Sequence, residues 1–197
     1  NSAYRNLKYA VNATFGFKYC IPLHLGRAAE VAIATLAKPS EIVATNELYV
    51  SGTWMVKNYG GKIITLRDSS SGLYPGNIDL KKLEKIILEY KVSYIYINLP
   101  ICSLSSKGGS PVSLDNLFGI RQLINRIDNK IPLVIDATRI FENASWIKLK
   151  SVNLGNYKLI DIVRILVSYS DIIIMSARKD LLASSGGLIA CRTHELF

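Results

Sequence analysis

The chain has 197 residues, of which 49% are hydrophobic and 20% are charged, and its net charge is +9. A composition this apolar excludes a disordered chain, and the length suits one hydrophobic core rather than two independent domains. The basic residues are scattered along the chain, without the alternation of basic and aromatic residues that binds single-stranded nucleic acid. We therefore expect a solvated basic surface that attracts anionic ligands, and no nucleic-acid partner.

Apolar runs and cysteines indicate the compartment. The longest apolar runs, such as Ile172 to Met175, are far shorter than the ~20 residues of a membrane-spanning helix. No basic segment followed by an apolar run and a cleavage site opens the sequence. Cys20, Cys102 and Cys191 are widely spaced, so we interpret them as buried thiols in a reducing compartment, without disulfide or metal. These features predict a cytoplasmic protein with no membrane partner and no metal ligands.

Seven segments rich in Ile, Val and Tyr predict β-strands, and several are continuously apolar, as in strands covered on both faces. They are Lys18–Ile21, Glu41–Thr45, Lys62–Leu66, Ser93–Ile97, Leu133–Asp136, Asp171–Met175 and Leu188–Arg192.

Helical patterns lie between most of these strands. One helix follows Gly26 over Arg27–Lys38 and ends before Pro39, two others begin after Asp79 and Ser113, and a fourth spans about 158–169. Alternating strands and helices predict an α/β fold: a three-layer sandwich around a mostly parallel seven-stranded sheet. In such sheets ligands bind at the carboxyl ends of the strands.

Three strand ends carry polar residues. Gly26 and Arg27 open a helix, where free amides and a guanidinium favour an anion; an ordinary turn with a surface arginine is the alternative. Asp136 closes an apolar strand and needs a cationic partner, which a protonated pyridine or Arg139 would supply. Lys179 follows another apolar strand as a candidate nucleophilic amine, or as a plain surface lysine.

Taken together, these three sites match what pyridoxal phosphate (PLP) requires. An anion-binding turn suits the phosphate, a strand-end acid keeps the ring nitrogen protonated, and a lysine binds the aldehyde carbon. Ser176, just before Lys179, offers a further hydroxyl for the phosphate. The double glycine after Ser185 permits close backbone approach and a turn into the seventh strand.

At these residues the sequence resembles the tryptophanase and tyrosine phenol-lyase family, the β-eliminating lyases of the fold type I PLP-dependent enzymes. The resemblance covers essentially the whole chain in family order. The matching stretches are Phe15–Lys18, His24–Glu30, Gly76–Leu83, Gly108–Ser113, Asp136–Arg139 continuing to Glu142–Ala144, and Met175–Asp180 with Gly186–Gly187.

The resemblance implies roles for the residues of the site. Lys179 would carry the cofactor as a Schiff base and later move the Cα proton. Asp136 would pair with the pyridine nitrogen, and Arg139 would contact the phenolic oxygen of the ring.

It also implies a cofactor-binding set. Gly26, Arg27 and Ser176 would hold the phosphate, and Tyr49 would lie on the face of the ring. On sequence grounds alone, Tyr49 also fits a strand-edge or core aromatic.

Three positions depart from the family pattern. Leu25 replaces the usual Gln before the phosphate-turn glycine. The family asparagine near the ring oxygen has no clear equivalent; Ser105 is the nearest position by alignment, and Lys107 follows it. Val50 stands where both lyases have a polar residue that helps to read the leaving group, so a preference for indole or phenol is not assigned.

We interpret residues 1–197 as the PLP-binding large domain, with an N-terminal segment and a C-terminal small domain of the family lying outside it. The family residues that protonate the leaving group and bind the substrate carboxylate belong to those parts. The resemblance further implies a homodimer or homotetramer and a monovalent cation such as K⁺.

The sequence therefore predicts a PLP-dependent carbon–carbon lyase that converts tryptophan or tyrosine to indole or phenol, pyruvate and ammonia. Two alternatives stay open. One is another fold type I activity, such as an aldolase, desulfurase or aminotransferase. The other is a truncated chain that serves as a non-catalytic binding module.

Overall fold

The computed structural model describes residues 2–68, 70–100 and 109–194. The strands are β1 (Tyr19–Leu23), β2 (Ile42–Thr45), β3 (Lys62–Thr65), β4 (Val92–Asn98), β5 (Leu133–Asp136), β6 (Ile172–Ser176) and β7 (Gly187–Cys191). The helices are α1 (Ser2–Phe15), α2 (Gly26–Ala34), α3 (Val50–Asn58), α4 (Leu80–Glu89), α5 (Leu114–Ile127), α6 (Ile140–Lys150) and α7 (Leu159–Ser168).

The seven strands form one sheet in the order β1-β7-β6-β5-β4-β2-β3. Only β7 runs against its neighbours; β2, β3, β4, β5 and β6 pair in parallel. The predicted mostly parallel seven-stranded sheet is confirmed. As a result, the carboxyl ends of β4, β5 and β6 lie side by side at one edge.

Side chains alternate between two apolar layers, one on each face of the sheet. Ile95 and Ile97 of β4 pack into the layer that α4, α5, α6 and α7 cover, and Tyr94 and Tyr96 pack into the layer beneath α2 and α3. The period-2 alternation of strands produces this division. The three-layer sandwich is thereby confirmed. The α2/α3 face is the one that bears the site.

Two of the helix predictions rest on caps that the structure confirms. The Asp79 carboxylate accepts a hydrogen bond from the Lys82 amide at 3.1 Å, and the Ser113 hydroxyl accepts one from the Asn116 amide at 3.1 Å. Side chains of this kind satisfy amides that lack a partner at the start of a helix.

One helix is shorter than predicted. The prediction extended it to Lys38, but α2 ends at Ala34 with Thr35 as its C-cap. The Lys38 amide donates to the Ser93 hydroxyl at 3.0 Å instead of continuing the helix. Helices α1, α3 and α6 were not predicted.

Buried asparagines hold the long connections against the sheet edge. Asn143 of α6 donates to the Val112 carbonyl at 2.9 Å and accepts from the Val112 amide at 2.8 Å. Asn116 of α5 binds the main chain of Ile78 in the same two-bond manner, at 2.8 and 2.9 Å. These side chains satisfy main-chain groups that no strand or helix pairs.

Cys20 and Cys191 are buried, as predicted, and Cys102 lies outside the described residues. Burial raises the pKa of the Cys191 thiol to about 11. The two thiols pack into opposite layers of the sheet. Among the helices that the structure describes, none is long and apolar enough to cross a membrane.

Candidate active site

A cavity of about 530 Å³ opens on the α2/α3 face, where β5 and β6 end. Its volume lies in the range of small-molecule sites. The structure brings to it all seven residues that the sequence nominates for the site: Gly26, Arg27, Tyr49, Asp136, Arg139, Ser176 and Lys179.

Asp136 is the buried acid of this cavity, with 7% of its surface exposed. It accepts hydrogen bonds from the Tyr96 hydroxyl at 2.9 Å and from the Thr138 amide at 3.0 Å. Burial raises the pKa of Asp136, and the hydrogen bonds from Thr138 and Tyr96 offset part of that rise. A carboxylate held in this way favours a cationic partner inside the cavity.

Thr138 connects the acid to the next strand. Its amide donates to the Asp136 carboxylate at 3.0 Å, and its hydroxyl accepts the Ser176 amide at 2.9 Å. The end of β5 is therefore linked to the end of β6 through one residue. Movement of Ser176 relative to Asp136 would break this bond, so the two groups are held at a fixed separation.

Gly26 begins α2 in direct contact with Ser176. A Cβ atom at Gly26 would lie 2.6 Å from the Cβ atom of Ser176, which is closer than real contacts allow. Leu25 is the N-cap of this helix and makes no side-chain cap hydrogen bond. The start of α2, Arg27 and Ser176 line the same cavity, and a helix start with free amides favours an anion.

The double glycine that follows Ser185 makes the turn into β7 and the close backbone approach that the sequence predicts. Gly186 adopts a φ of +126°, a conformation that glycine permits. A Cβ atom at Gly187 would lie 2.3 Å from the Leu25 carbonyl oxygen. Because Leu25 directly precedes Gly26, the start of β7 packs against the turn that leads into α2.

Lys179 lies in the turn after β6, at the mouth of the cavity, where its side chain is exposed. The neighbouring Asp180 accepts the Phe141 amide of α6 at 2.7 Å. Burial raises the pKa of Asp180, and this amide bond acts in the opposite direction. The turn that carries the lysine is therefore attached to the helix after β5.

Tyr49 is neither a strand-edge nor a core aromatic. It is the N-cap residue of α3, it is 39% exposed, and it lines the cavity. Beside it, the Ser51 hydroxyl donates a short hydrogen bond to Glu30 of α2. Burial raises the pKa of Glu30, the Ser51 bond lowers it, and the Asp136 charge raises it further.

Arg139 forms its ion pair with Glu142, one turn along α6. The alternative of an Asp136–Arg139 ion pair is not how this carboxylate is satisfied, since its hydrogen bonds come from Tyr96 and Thr138. Leu25 is 40% exposed at the cavity rim. Ser105 and Lys107 lie outside the described residues.

Sequence reasoning did not identify four residues of the site: Glu30, Tyr96, Asn98 and Thr138. Glu30 and Thr138 stood within the matching stretches, where no role was attached to them. Tyr96 and Asn98 follow the period-2 pattern of β4 onto the cavity face, beside Asp136. The pairing of β4 with β5 would have identified both residues as neighbours of Asp136. The sequence of β4 by itself indicates only an apolar strand.

A sequence model of beta-eliminating lyases matches residues 1–196. The chain belongs to the beta-eliminating lyase family. Tyrosine phenol-lyase of Clostridium tetani is 35% identical to it over an alignment of 199 residues, which covers 97% of this chain and 43% of that protein. A protein named "Probable tryptophanase" from Aeropyrum pernix is 34% identical over an alignment of 196 residues, which covers 95% of this chain and 41% of that protein.

Solved structures of other proteins share the fold of this beta-eliminating lyase chain. A cystathione gamma lyase from Micromonospora echinospora superposes with a TM-score of 0.63 at 13% identity, over 100% of this chain and 44% of that one. An SPT structure determined with PLP gives a TM-score of 0.64 at 12% identity, over 98% and 43%. The fold is that of the fold type I PLP-dependent enzymes. The chain spans less than half the length of these relatives.

The cavity suits PLP on its own features. A buried carboxylate with a raised pKa fits a pyridinium nitrogen, and the uncapped start of α2 with Arg27 fits a phosphate. An amine stands at the mouth of the same cavity.

Proposed function

We propose that this chain binds PLP in the cavity and supplies the cofactor-binding part of a lyase that acts on aromatic amino acids. The observation that carries the proposal is that a buried acid, an anion-binding helix start and a lysine line one cavity. Membership of the beta-eliminating lyase family and the names of the relatives support the reaction type.

Each residue has a distinct task in this proposal. The Lys179 amine would hold the cofactor at its aldehyde carbon and would move the proton of the substrate Cα. The Asp136 carboxylate would hold a proton on the ring nitrogen, and the Arg139 guanidinium would stabilise charge on the phenolic oxygen. When bound, PLP supplies the electron sink that allows bonds at the amino acid to break.

Binding and orientation fall to the residues around the acid and the amine. The start of α2 at Gly26, the Arg27 guanidinium and the Ser176 hydroxyl hold the phosphate. Tyr49 covers one face of the ring. Thr138 fixes the position of Asp136 relative to Ser176 through its hydrogen bonds to both residues.

The proposed overall reaction is an aromatic amino acid plus water giving an arene, pyruvate and ammonia. The residues that protonate the leaving group and bind the substrate carboxylate would come from other parts of the protein. A monovalent cation, a homodimer or homotetramer and a cytoplasmic location stay predictions from the sequence.

Product analysis tests this function. We expect pyruvate and ammonia in equal amounts when the PLP-loaded protein is incubated with tryptophan or tyrosine, and none from a Lys179→Ala variant. Lys57→Ala, which removes an exposed lysine of α3, should leave the rate unchanged. Release of glycine and an aldehyde, or of an oxo acid that retains the aromatic group, would instead indicate an aldolase or an aminotransferase.

A further inference from the structure

Tyr96 lies in β4, the strand beside the one that carries the acid. It is directly paired with Val134 of β5, and both residues pack in the apolar layer beneath α2 and α3. Asp136 follows Val134 by two residues, so it lies diagonally across from Tyr96 on the same face of the sheet. A diagonal pair is within reach of aromatic and long side chains. The phenol of Tyr96 spans this gap, and its hydroxyl donates to Asp136 Oδ2 at 2.9 Å.

This hydrogen bond fixes the direction of the acid. Asp136 Oδ1 accepts the Thr138 amide at 3.0 Å, so each oxygen of the carboxylate is held by a donor from the protein. Rotation of the carboxylate about its bond to Cβ would break both hydrogen bonds. The acceptor capacity that remains on the two oxygens is available to a ligand in the cavity, which Asp136 lines.

The Tyr96 hydroxyl is a permanent donor, because its surroundings keep its proton in place. Tyr96 is 2% exposed. Burial raises its pKa well above the ordinary value, and the charges of Asp136 and Glu30 raise it further. A hydrogen bond to the charged form of an acid favours that form, and a pyridinium nitrogen needs an ionised acid beside it.

Tyr96 is not among the described residues that line the cavity, so it would act on a bound ring only through the carboxylate. We propose that Tyr96 is a positioning residue that directs the Asp136 carboxylate at the ring nitrogen of PLP. This inference rests on the proposed binding of PLP.

Two ligands and one small substitution test this role. Tyr96→Phe removes only the hydroxyl; Tyr94→Phe is the matched control, since Tyr94 is 1% exposed in the same strand and layer. Equilibrium dialysis measures the affinity for PLP and for its 1-deaza analogue, which has a C–H group in place of the ring nitrogen. The ratio of the two affinities isolates the contact at the nitrogen, because a general change in the fold alters both. Thermal unfolding of each variant confirms that folded chains are compared.

We expect Tyr96→Phe to lower the preference for PLP over the deaza analogue about ten-fold, since it removes a hydrogen bond to a charged group. Tyr94→Phe should leave the ratio unchanged. In an Asp136→Asn background, Tyr96→Phe should no longer lower the ratio, because the hydroxyl acts through the carboxylate.

An unchanged ratio in Tyr96→Phe, or an equal fall in the Asp136→Asn background, would overturn the positioning role. PLP binding by the unchanged chain would still keep the proposed function in place. Failure of the unchanged chain to bind PLP would overturn both proposals.

Discussion

At the scale of single residues, Asp136 is a buried carboxylate of the cavity whose surroundings raise its pKa. Burial is the main cause of its raised pKa, and it outweighs hydrogen bonds from the Tyr96 hydroxyl and from Thr138. Without a cation beside it, the buried carboxylate lowers the stability of the fold. The same feature is what makes the position suitable for binding a pyridinium ring.

The cost of burying the Asp136 carboxylate predicts a pH-dependent effect of Asp136→Asn on the free energy of unfolding. Because the folded-state pKa of Asp136 lies above its unfolded value, the folded chain binds more protons, and its stability falls as pH rises through that interval. The asparagine variant lacks this loss because a carboxamide does not titrate in this range. Its oxygen can still accept the Thr138 amide, and its amino group can donate to the Tyr96 hydroxyl oxygen. We expect the difference in unfolding free energy, variant minus unchanged chain, to grow with pH.

Urea denaturation of PLP-free protein over a series of pH values measures this difference. Asp128→Asn, which removes an exposed carboxylate, is the control. A difference that stays constant or shrinks as pH rises would show that burial does not govern the titration of Asp136.

Several site residues were not predicted from the sequence because they act through hydrogen bonds between neighbouring strands. Asp136 and Lys179 were found because each follows an apolar strand. Tyr96 and Thr138 act through bonds to residues 40 and 38 positions away. Only the register of neighbouring strands reveals such contacts.

At the scale of elements, the strands were readily predicted and some helices were not. All seven strands have apolar or β-branched runs, which are mostly buried in β2, β4, β5, β6 and β7, and each strand was predicted within a few residues of its bounds. Helix α3 escaped because it contains Gly52 and exposes Val50 and Trp54, so it lacks a one-sided apolar stripe. Helix α1 buries only Val11 and Phe15 over its 14 residues, which is too sparse a pattern to recognise.

The contact between α2 and β6 predicts a large effect of a single methyl group. In Gly26→Ala the new Cβ would lie 2.6 Å from the Ser176 Cβ, so the helix start must move away from the strand end. We expect a loss of about 1–3 kcal/mol in unfolding free energy from this overpacking, together with weaker binding of PLP.

Gly155→Ala is the matched control, because its Cβ would meet only the Ser151 carbonyl oxygen at 3.9 Å. Chemical denaturation measures the unfolding free energy of both variants, and titration with PLP measures their affinity for it. Equal values for the two variants would mean that α2 does not pack on Ser176 as closely as described.

The asparagine that joins α6 to the connection before α5 predicts a second effect at this scale. Asn143→Ala leaves the buried Val112 amide and carbonyl without their side-chain partner. We expect a loss of about 2–4 kcal/mol in unfolding free energy. Asn153→Ala, at an exposed position, should change it by less than about 0.5 kcal/mol. Similar values for the two variants in urea denaturation would contradict the assigned role of Asn143.

At the scale of the whole molecule, the net charge of the chain and the charge of the cavity lining have the same positive sign. The net charge is +9, and the described residues that line the cavity include Arg27, Arg139, Arg178 and Lys179 against Glu30 and Asp136. A positive potential of this kind attracts an anionic ligand before contact is made.

We therefore expect the association rate of PLP to fall as ionic strength rises from about 0.01 to 0.15 M, over which the screening length shortens from about 30 to 8 Å. Pyridoxal, which lacks the phosphate, should associate at a rate that barely changes with salt. Stopped-flow absorbance measures both rates. A parallel decline for the two ligands would show that the phosphate is not what the charge attracts.

The central claim is that a ring held by Asp136 presents its aldehyde to Lys179 within one cavity. The most direct measurement is borohydride reduction of the PLP-loaded protein, followed by peptide mass spectrometry to locate the fixed cofactor. We predict one modified residue, Lys179, and no fixed cofactor in Lys179→Ala. A modification spread over exposed lysines, or concentrated on another one, would contradict the claim.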